Sequence, residues 1–203
     1  MIRLATLYAD RLNLNGDQGN LRVLEKRLLA RNIEFDVVQF KIGDDPQILN
    51  DVDFLLIGHG SLAAWRSLES DLHRVSDAIQ QILVSNTLVL AVSSGAEMLY
   101  RHPIKFFEEN LEKVPRRSRF VIAAFEGKQV LGYVNSETSL PDIKRTGSVI
   151  VTTLHGPLLA KNPQVADSIL ESFGAEISSS AAIEKLDESV AGIWSLETEL
   201  ANE

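Results

Sequence analysis

Three short stretches of the chain carry residue types able to do chemistry, and each lies at the end of an apolar run. They are Gly58-His59-Gly60-Ser61, Ser93-Ser94-Gly95-Ala96-Glu97 and His155-Gly156-Pro157-Leu158-Leu159. The middle one is the sharpest. Leu88-Val89-Leu90-Ala91-Val92 leads into a small hydroxyl residue and then a glycine before a helical segment, the shape of an elbow that exposes a nucleophile over a helix N-terminus. His155 could act on Ser93 as general base, and the amides of a glycine loop could hold a developing oxyanion. No thiol takes part, because the 203 residues include no cysteine; a disulfide framework and a zinc-thiolate site are excluded with it. His59 has no second histidine or carboxylate at ligand spacing, so neither a metal nor a cofactor is expected. Each candidate also has a plainer reading. Ser93 could be the small residue that a tight strand-to-helix turn needs, and His155 a turn-stabilising histidine.

An open parallel sheet would gather these stretches, since ligands of such folds bind beyond the carboxyl ends of the strands. Ile2 to Tyr8, Phe35 to Phe40, Phe54 to Ile57 and Leu88 to Val92 read as strands; Phe54-Leu55-Leu56-Ile57 has the continuous apolar pattern of one covered on both faces. Leu21, Leu24, Leu28 and Leu29 share a helix face behind the polar loop Asn13–Asn20, with Asn20 as the expected N-cap and Asn32 at a left-handed C-terminal position. Leu72, Val75, Ile79 and Ile82 mark a second helix. The alternation predicts an α/β fold, a three-layer sandwich with a mainly parallel central sheet. Beyond Tyr100 the runs Phe120–Ala124, Val130–Val134 and Val149–Thr153 look antiparallel, and Pro163 suits the first turn of a helix from Asn162 to Phe173. One domain is expected over 1–203, with 176–203, rich in Ser, Ala and Glu, as a loosely packed tail.

Composition excludes several classes. Apolar residues make up 45% and charged residues 24%, which rules out disorder and fibre. Twenty Lys and Arg against 28 Asp and Glu leave a net charge of −8, so nucleic acid is not an expected partner. The small basic cluster Arg116, Arg117 and Arg119 reads as a solvated face. No apolar run approaches the ~18–20 residues of a membrane span. Met1 to Leu7 lacks the order of a signal peptide, and a cytoplasmic location is expected.

Two longer motifs carry a resemblance. Leu12-Asn13-Leu14-Asn15-Gly16-Asp17-Gln18-Gly19-Asn20, with Leu24, Arg27, Arg31 and Ile33 behind it, and His155-Gly156-Pro157-Leu158-Leu159-Ala160-Lys161-Asn162-Pro163 resemble the class I glutamine amidotransferases of the cobyric-acid-synthase (CobB/CobQ-like) type. The resemblance runs from about Leu4 to Asp167 and is poor between Arg101 and Ser118. The nearest branch is that of GatD, the glutaminase subunit that works with the Mur-ligase-like subunit MurT to amidate lipid II in cell-wall peptidoglycan synthesis. What the resemblance implies is the class I amidotransferase fold, glutamine hydrolysis by a Cys-His pair, and delivery of ammonia to a MurT-like partner in a heterodimer.

Set beside the family's elbow, which resembles Ala-Ile-Cys-Gly-Gly-Tyr-Gln-Leu-Leu, the stretch Ala91 to Leu99 has Ser93 at the nucleophile's place and Ala96 and Glu97 at the glutamine-contacting pair. The family's Gly-Gly-Gly-Gln-Asp oxyanion loop corresponds to Gly58-His59-Gly60-Ser61-Leu62, and its Glu-Asn-His stretch to Val134-Asn135-Ser136. By this carry-over Ser93 and His155 stand at the catalytic places, and Gly58, His59, Gly60, Gly95 and Glu97 at the substrate-binding ones. A serine hydroxyl is a far weaker nucleophile than a thiol, His59 crowds the oxyanion amides, and Glu97 replaces an amide with an acid. These departures count against glutamine as substrate and lead to the expectation of a partner-binding subunit without glutaminase activity of its own. Two further readings stay open: an amidase active only in complex, and a serine hydrolase. For the latter, Ser93-Ser94-Gly95-Ala96 resembles the Ser-Ala-Gly-Ala elbow of the peptidase E-like enzymes, with Ser93 as nucleophile and His155 as base.

Overall fold

A computed structural model describes residues 1–201. Its first half alternates strand and helix: β1 (Ile2–Leu7), α1 (Gln18–Ala30), β2 (Phe35–Phe40), β3 (Phe54–Ile57), α2 (Leu62–Leu83), β4 (Leu88–Val92) and the short α3 (Ser94–Met98). The second half supplies β5 (Lys113–Phe125), β6 (Lys128–Thr138), β7 (Ile143–Thr146), β8 (Val149–Thr152) and β9 (Leu154–His155), then α4 (Leu158–Lys161), α5 (Pro163–Ser172) and α6 (Ala181–Ala201). Six strands form one sheet in the order β2-β1-β3-β4-β8-β7, parallel except for the last pair. Along each strand, side chains alternate between faces. Leu4, Leu56, Leu90 and Ile150 join a cluster with Leu21, Leu24 and Leu28 of α1 and Ile169 and Leu170 of α5. Leu7, Ile57, Ala91 and Val151 join another with Leu68, Leu72, Val75 and Ile79 of α2. Helices cover both faces of the sheet, so the fold is the three-layer α/β sandwich with a mainly parallel central sheet.

Several local expectations are corrected. Val149–Thr153 belongs to the parallel sheet: β8 pairs with β4 from Val89↔Val149 to Val92↔Thr152. Its other neighbour, β7, is antiparallel and had no counterpart in the sequence reading. Phe120–Ala124 and Val130–Val134 do pair antiparallel, but in a separate sheet, the hairpin β5–β6 closed by the two-residue β9 that carries His155. Asn20 is not an N-cap. It sits buried inside the first turn of α1, where Nδ2 donates to the Asp17 carbonyl and Oδ1 accepts the Leu159 N–H. The free amide of Gln18 is met instead by Asn13 Oδ1 at 3.0 Å. Asn32 does take the left-handed conformation, with φ 55°.

Of the tail 176–203, Ala181–Ala201 folds as α6, and residues 202 and 203 lie outside the described residues. Of the residues of α6, Ile183 is buried, while Ile193, Leu196 and Leu200 are exposed. Its links to the body are mainly polar: Asp187 to Arg27, Glu197 to Lys161, and the Trp194 indole N–H to the Lys161 carbonyl.

Candidate functional site

The fold brings the three stretches to one end of the strands: Gly58-His59-Gly60 follows β3, Ser93 follows β4, and His155 ends β9. The His59 and His155 rings meet edge to face, 5.3 Å between centroids. Ser93 holds φ 50° and ψ −114°, a conformation that costs a residue with a Cβ. It is fixed by the Ser93 N–H bond to the Thr152 carbonyl at 2.7 Å and by the Glu97 N–H bond to the Ser93 carbonyl at 2.9 Å. Glycine is required beside it. A Cβ on Gly95 would come within 2.5 Å of the Ile57 carbonyl oxygen, and one on Gly58 within 2.1 Å of that of Leu12. The elbow is therefore pressed directly against the glycine loop.

At this junction two backbone donors are occupied by side chains of the site itself. The Gly60 N–H donates to Ser94 Oγ at 3.0 Å, and the Ser94 N–H donates to His59 Nδ1 at 3.3 Å. Ser94 Oγ also accepts the Trp65 indole N–H at 2.7 Å and lies 2.9 Å from His59 Nδ1. With two donors on its oxygen, the hydroxyl has one hydrogen left to share between His59 Nδ1 and the Gly60 carbonyl at 3.1 Å. His59 is neutral at pH 7, since burial, helped by the neighbouring His155, pushes its pKa down to about 4. Because Nδ1 accepts, the ring proton lies on Nε2.

Beneath the loop, the His59 N–H donates to Asp17 Oδ2 at 2.8 Å. Asp17 is buried, has no salt bridge among the described residues, and leaves Oδ1 without a partner; burial pushes its pKa up to about 6. These two groups titrate with opposite signs. Raised from 3.8, the Asp17 pKa gives a contribution that favours the fold below about pH 4 and is lost as the pH rises to about 6. Depressed from 6.5, that of His59 gives a contribution present above about pH 6.5 and lost as the pH falls towards 4. Relative to the native chain, Asp17→Asn is expected to gain stability above pH 6, an advantage that fades by pH 4. His59→Asn should gain as the pH falls through the same range. Each swing is at most about 3 kcal/mol. Urea midpoints from pH 4 to 7 read both, and variants that track the native chain at every pH would refute the assignment.

Ser93 and His155 are not joined by a hydrogen bond. His155 Nδ1 lies 2.9 Å from Asn15 Nδ2, an amide nitrogen that only donates, so the basic nitrogen is occupied and the proton is on Nε2. Burial lowers the His155 pKa, opposed by a hydrogen bond with the Asn135 backbone. Two cavities flank the site. One of about 430 Å³ is lined by Gly60, Trp65, Ser94, Glu97 and Met98; the other, of about 320 Å³, borders Asn15, Asn135, His155 and Lys161. Ser93 lines neither. Glu97 is raised by burial and partly offset by Arg101 at 3.2 Å. Among the described residues no three His, Asp or Glu side chains gather to hold a metal ion.

Gly58, His59, Gly60, Ser93, Gly95 and Glu97 are thus brought together, with His155 touching His59 rather than Ser93. Sequence reasoning placed Ser94 in a candidate stretch without giving it a role, and it did not bring Trp65, Asp17 or Asn15 to the site. Asp17 and Asn15 lie in the polar loop Asn13–Asn20, and nothing in the sequence marks Trp65.

No family model matches the chain. It is 25% identical to the lipid II isoglutaminyl synthase (glutamine-hydrolyzing) subunit GatD of Staphylococcus aureus (strain N315), over 82% of this chain and 83% of that protein. Among solved structures, a glutamine amidotransferase superposes with a TM-score of 0.55 at 17% identity, covering 84% of this chain and 99% of that one. The glutaminase domain of Trypanosoma brucei CTPS with bound acivicin gives 0.52 at 11% identity, covering 90% and 99%. The fold is that of the class I glutamine amidotransferases. In this fold Ser93 joins β4 to α3, and the filled amides are those of this turn and of the glycine loop beside it. No helix among the described residues is long and apolar enough to cross a membrane.

Proposed function

We propose that the chain is a GatD-type amidotransferase subunit that has lost glutaminase chemistry and acts by binding a Mur-ligase-like partner in the amidation of lipid II during peptidoglycan synthesis. Its likeness to the staphylococcal subunit supports the pathway. The observation that carries the loss of chemistry is the filled amide pair: Gly60 N–H on Ser94 Oγ and Ser94 N–H on His59 Nδ1. Acyl transfer needs free donors about 2.7–3.1 Å from the oxyanion, and the loss of one costs about 10²–10³ in rate. Here both are engaged, no thiol exists, and the basic nitrogen of His155 faces Asn15. The reading carries with it a single domain, a heterodimer and a cytoplasmic location.

Co-expression with a Mur-ligase-like protein from the same genome, followed by size exclusion and an ammonia assay, tests this. A stable one-to-one complex is expected, with ammonia release from glutamine at background whether or not the partner is present. Failure to form any complex, or turnover abolished by Ser93→Ala, would overturn it.

The strained Ser93 backbone favours a second reading, a serine hydrolase of the peptidase E-like type with Ser93 as nucleophile and His155 as base. The same preparations treated with a serine-directed fluorophosphonate separate the two: the silent subunit shows no mass adduct, whereas a hydrolase shows one that disappears in His155→Ala.

A further inference from the structure

The cavity of about 320 Å³ beside His155 holds a cation that the site described above does not use. Lys161 Nζ stands 5.3 Å from the centre of the Phe120 ring and lies against Gly156. Both oxygens of Glu197 bind it, at 2.6 and 2.7 Å, with the two side chains only 14% and 17% exposed. Glu197 comes from α6, whose Trp194, one turn earlier, bonds the Lys161 carbonyl. The C-terminal half of that helix is therefore fastened at Lys161, through both its ammonium and its carbonyl.

Inside the cavity the other groups are rings and amides. Phe120 and Tyr133 meet edge to face at 5.0 Å, and Asn135, whose Oδ1 accepts from Arg116, has no partner for Nδ2 among the described residues. His155 is held towards its neutral form by burial. Lys161 is the formal charge of the lining, and its acceptor is a carboxylate lent by a peripheral helix.

We propose that this cavity binds a small anion bearing a flat ring, an aromatic carboxylate or a phosphate monoester, which replaces Glu197 on Lys161 and so releases the C-terminal half of α6. Exchange of one anion for another leaves Lys161 paired throughout, so the cost of stranding a largely buried cation is avoided. Phe120 and Tyr133 offer the ring an edge and a face. The volume is at the small end of ligand sites, about 300 Å³ and upwards. The site stands apart from the partner proposal and needs neither glutamine hydrolysis nor a second subunit.

Calorimetric titration of the full chain with benzoate and with phenyl phosphate tests it, and the arm that binds identifies the anionic group. Glu197→Gln should tighten binding about tenfold, because the internal competitor has lost its charge. Lys161→Arg should keep binding and Lys161→Met should lose it, with circular dichroism checking that each variant folds. Benzyl alcohol, a ring without a charge, should not bind. Hydrogen exchange on the native chain provides a readout free of any variant: the bound anion should speed exchange of the amides over 190–200. The proposal is overturned if neither anion binds Glu197→Gln, if that variant and the native chain bind alike, if Lys161→Met keeps its affinity, if benzyl alcohol binds as well as benzoate, or if the bound anion leaves exchange over 190–200 unchanged.

Discussion

Ser93→Cys alone is expected to release no ammonia from glutamine above background, even when a Mur-ligase-like protein is co-expressed with it. The substitution supplies a better nucleophile but leaves the Gly60 amide on Ser94 Oγ, the Ser94 amide on His59 Nδ1 and the His155 basic nitrogen facing Asn15. One missing oxyanion donor costs about 2.7–4 kcal/mol at the transition state, two to three powers of ten in rate. A thiolate does not return that loss. The two amides are freed only by removing the side chains that fill them, so Ser93→Cys combined with His59→Gly and Ser94→Gly, and with Ala96→Tyr and Glu97→Gln, should exceed the single variant by roughly the same factor, about 100-fold or more. Ammonia release from each variant decides the matter. Robust turnover from the single substitution would show that the amides are available and that the pocket never closed.

Asp167→Ala should destabilise the fold by about 3–5 kcal/mol, the cost of stripping a carboxylate from buried cations. Asp167 bonds Arg27 Nε and Nη2 at 2.7 and 2.6 Å and Arg31 Nη2 at 3.0 Å. The two arginine side chains are 3% and 2% exposed. Asp187, the other carboxylate on Arg27, is 40% exposed, and Asp187→Ala should cost about 1 kcal/mol or less. Urea unfolding of the two variants provides the comparison. Equal losses would mean that Arg27 and Arg31 find water or another acceptor once Asp167 has gone.

Much of this architecture was legible, and for a physical reason. Strands β1, β3 and β4 are covered on both faces, so Phe54-Leu55-Leu56-Ile57 and Leu88-Val89-Leu90-Ala91-Val92 announce themselves as continuous apolar runs. Strand β7 does not, because only Ile143 of its four residues is buried. The place of β8 beside β4 is a matter of topology, which a local pattern does not encode. In the site, the elbow could be read from Ser93 and Gly95, and His59 from its bulk in a glycine loop. The Ser94 bonds to Gly60 and Trp65 could not, since they span 34 and 29 positions along the chain. The two motifs that carried the resemblance prove to be one contact. Asn20 bonds Leu159, Asn15 bonds His155, and a Cβ on Gly19 would come within 2.3 Å of Pro157.

The backbone of Ser93 holds one more consequence. Its left-handed turn costs about 1–3 kcal/mol, and enzymes are commonly said to carry such a cost for the sake of their chemistry. Here the turn is held by the Thr152 carbonyl on one side and the Glu97 amide on the other, and Gly95 seats it against the carbonyls of Ile57 and Gly58. Relaxing it would undock α3 from the end of β4. The distortion is thus held by the same contacts that seat α3 on the sheet, so a substitution that relaxes it is felt first as a loss of packing at the end of β4 and only then in whatever the turn presents.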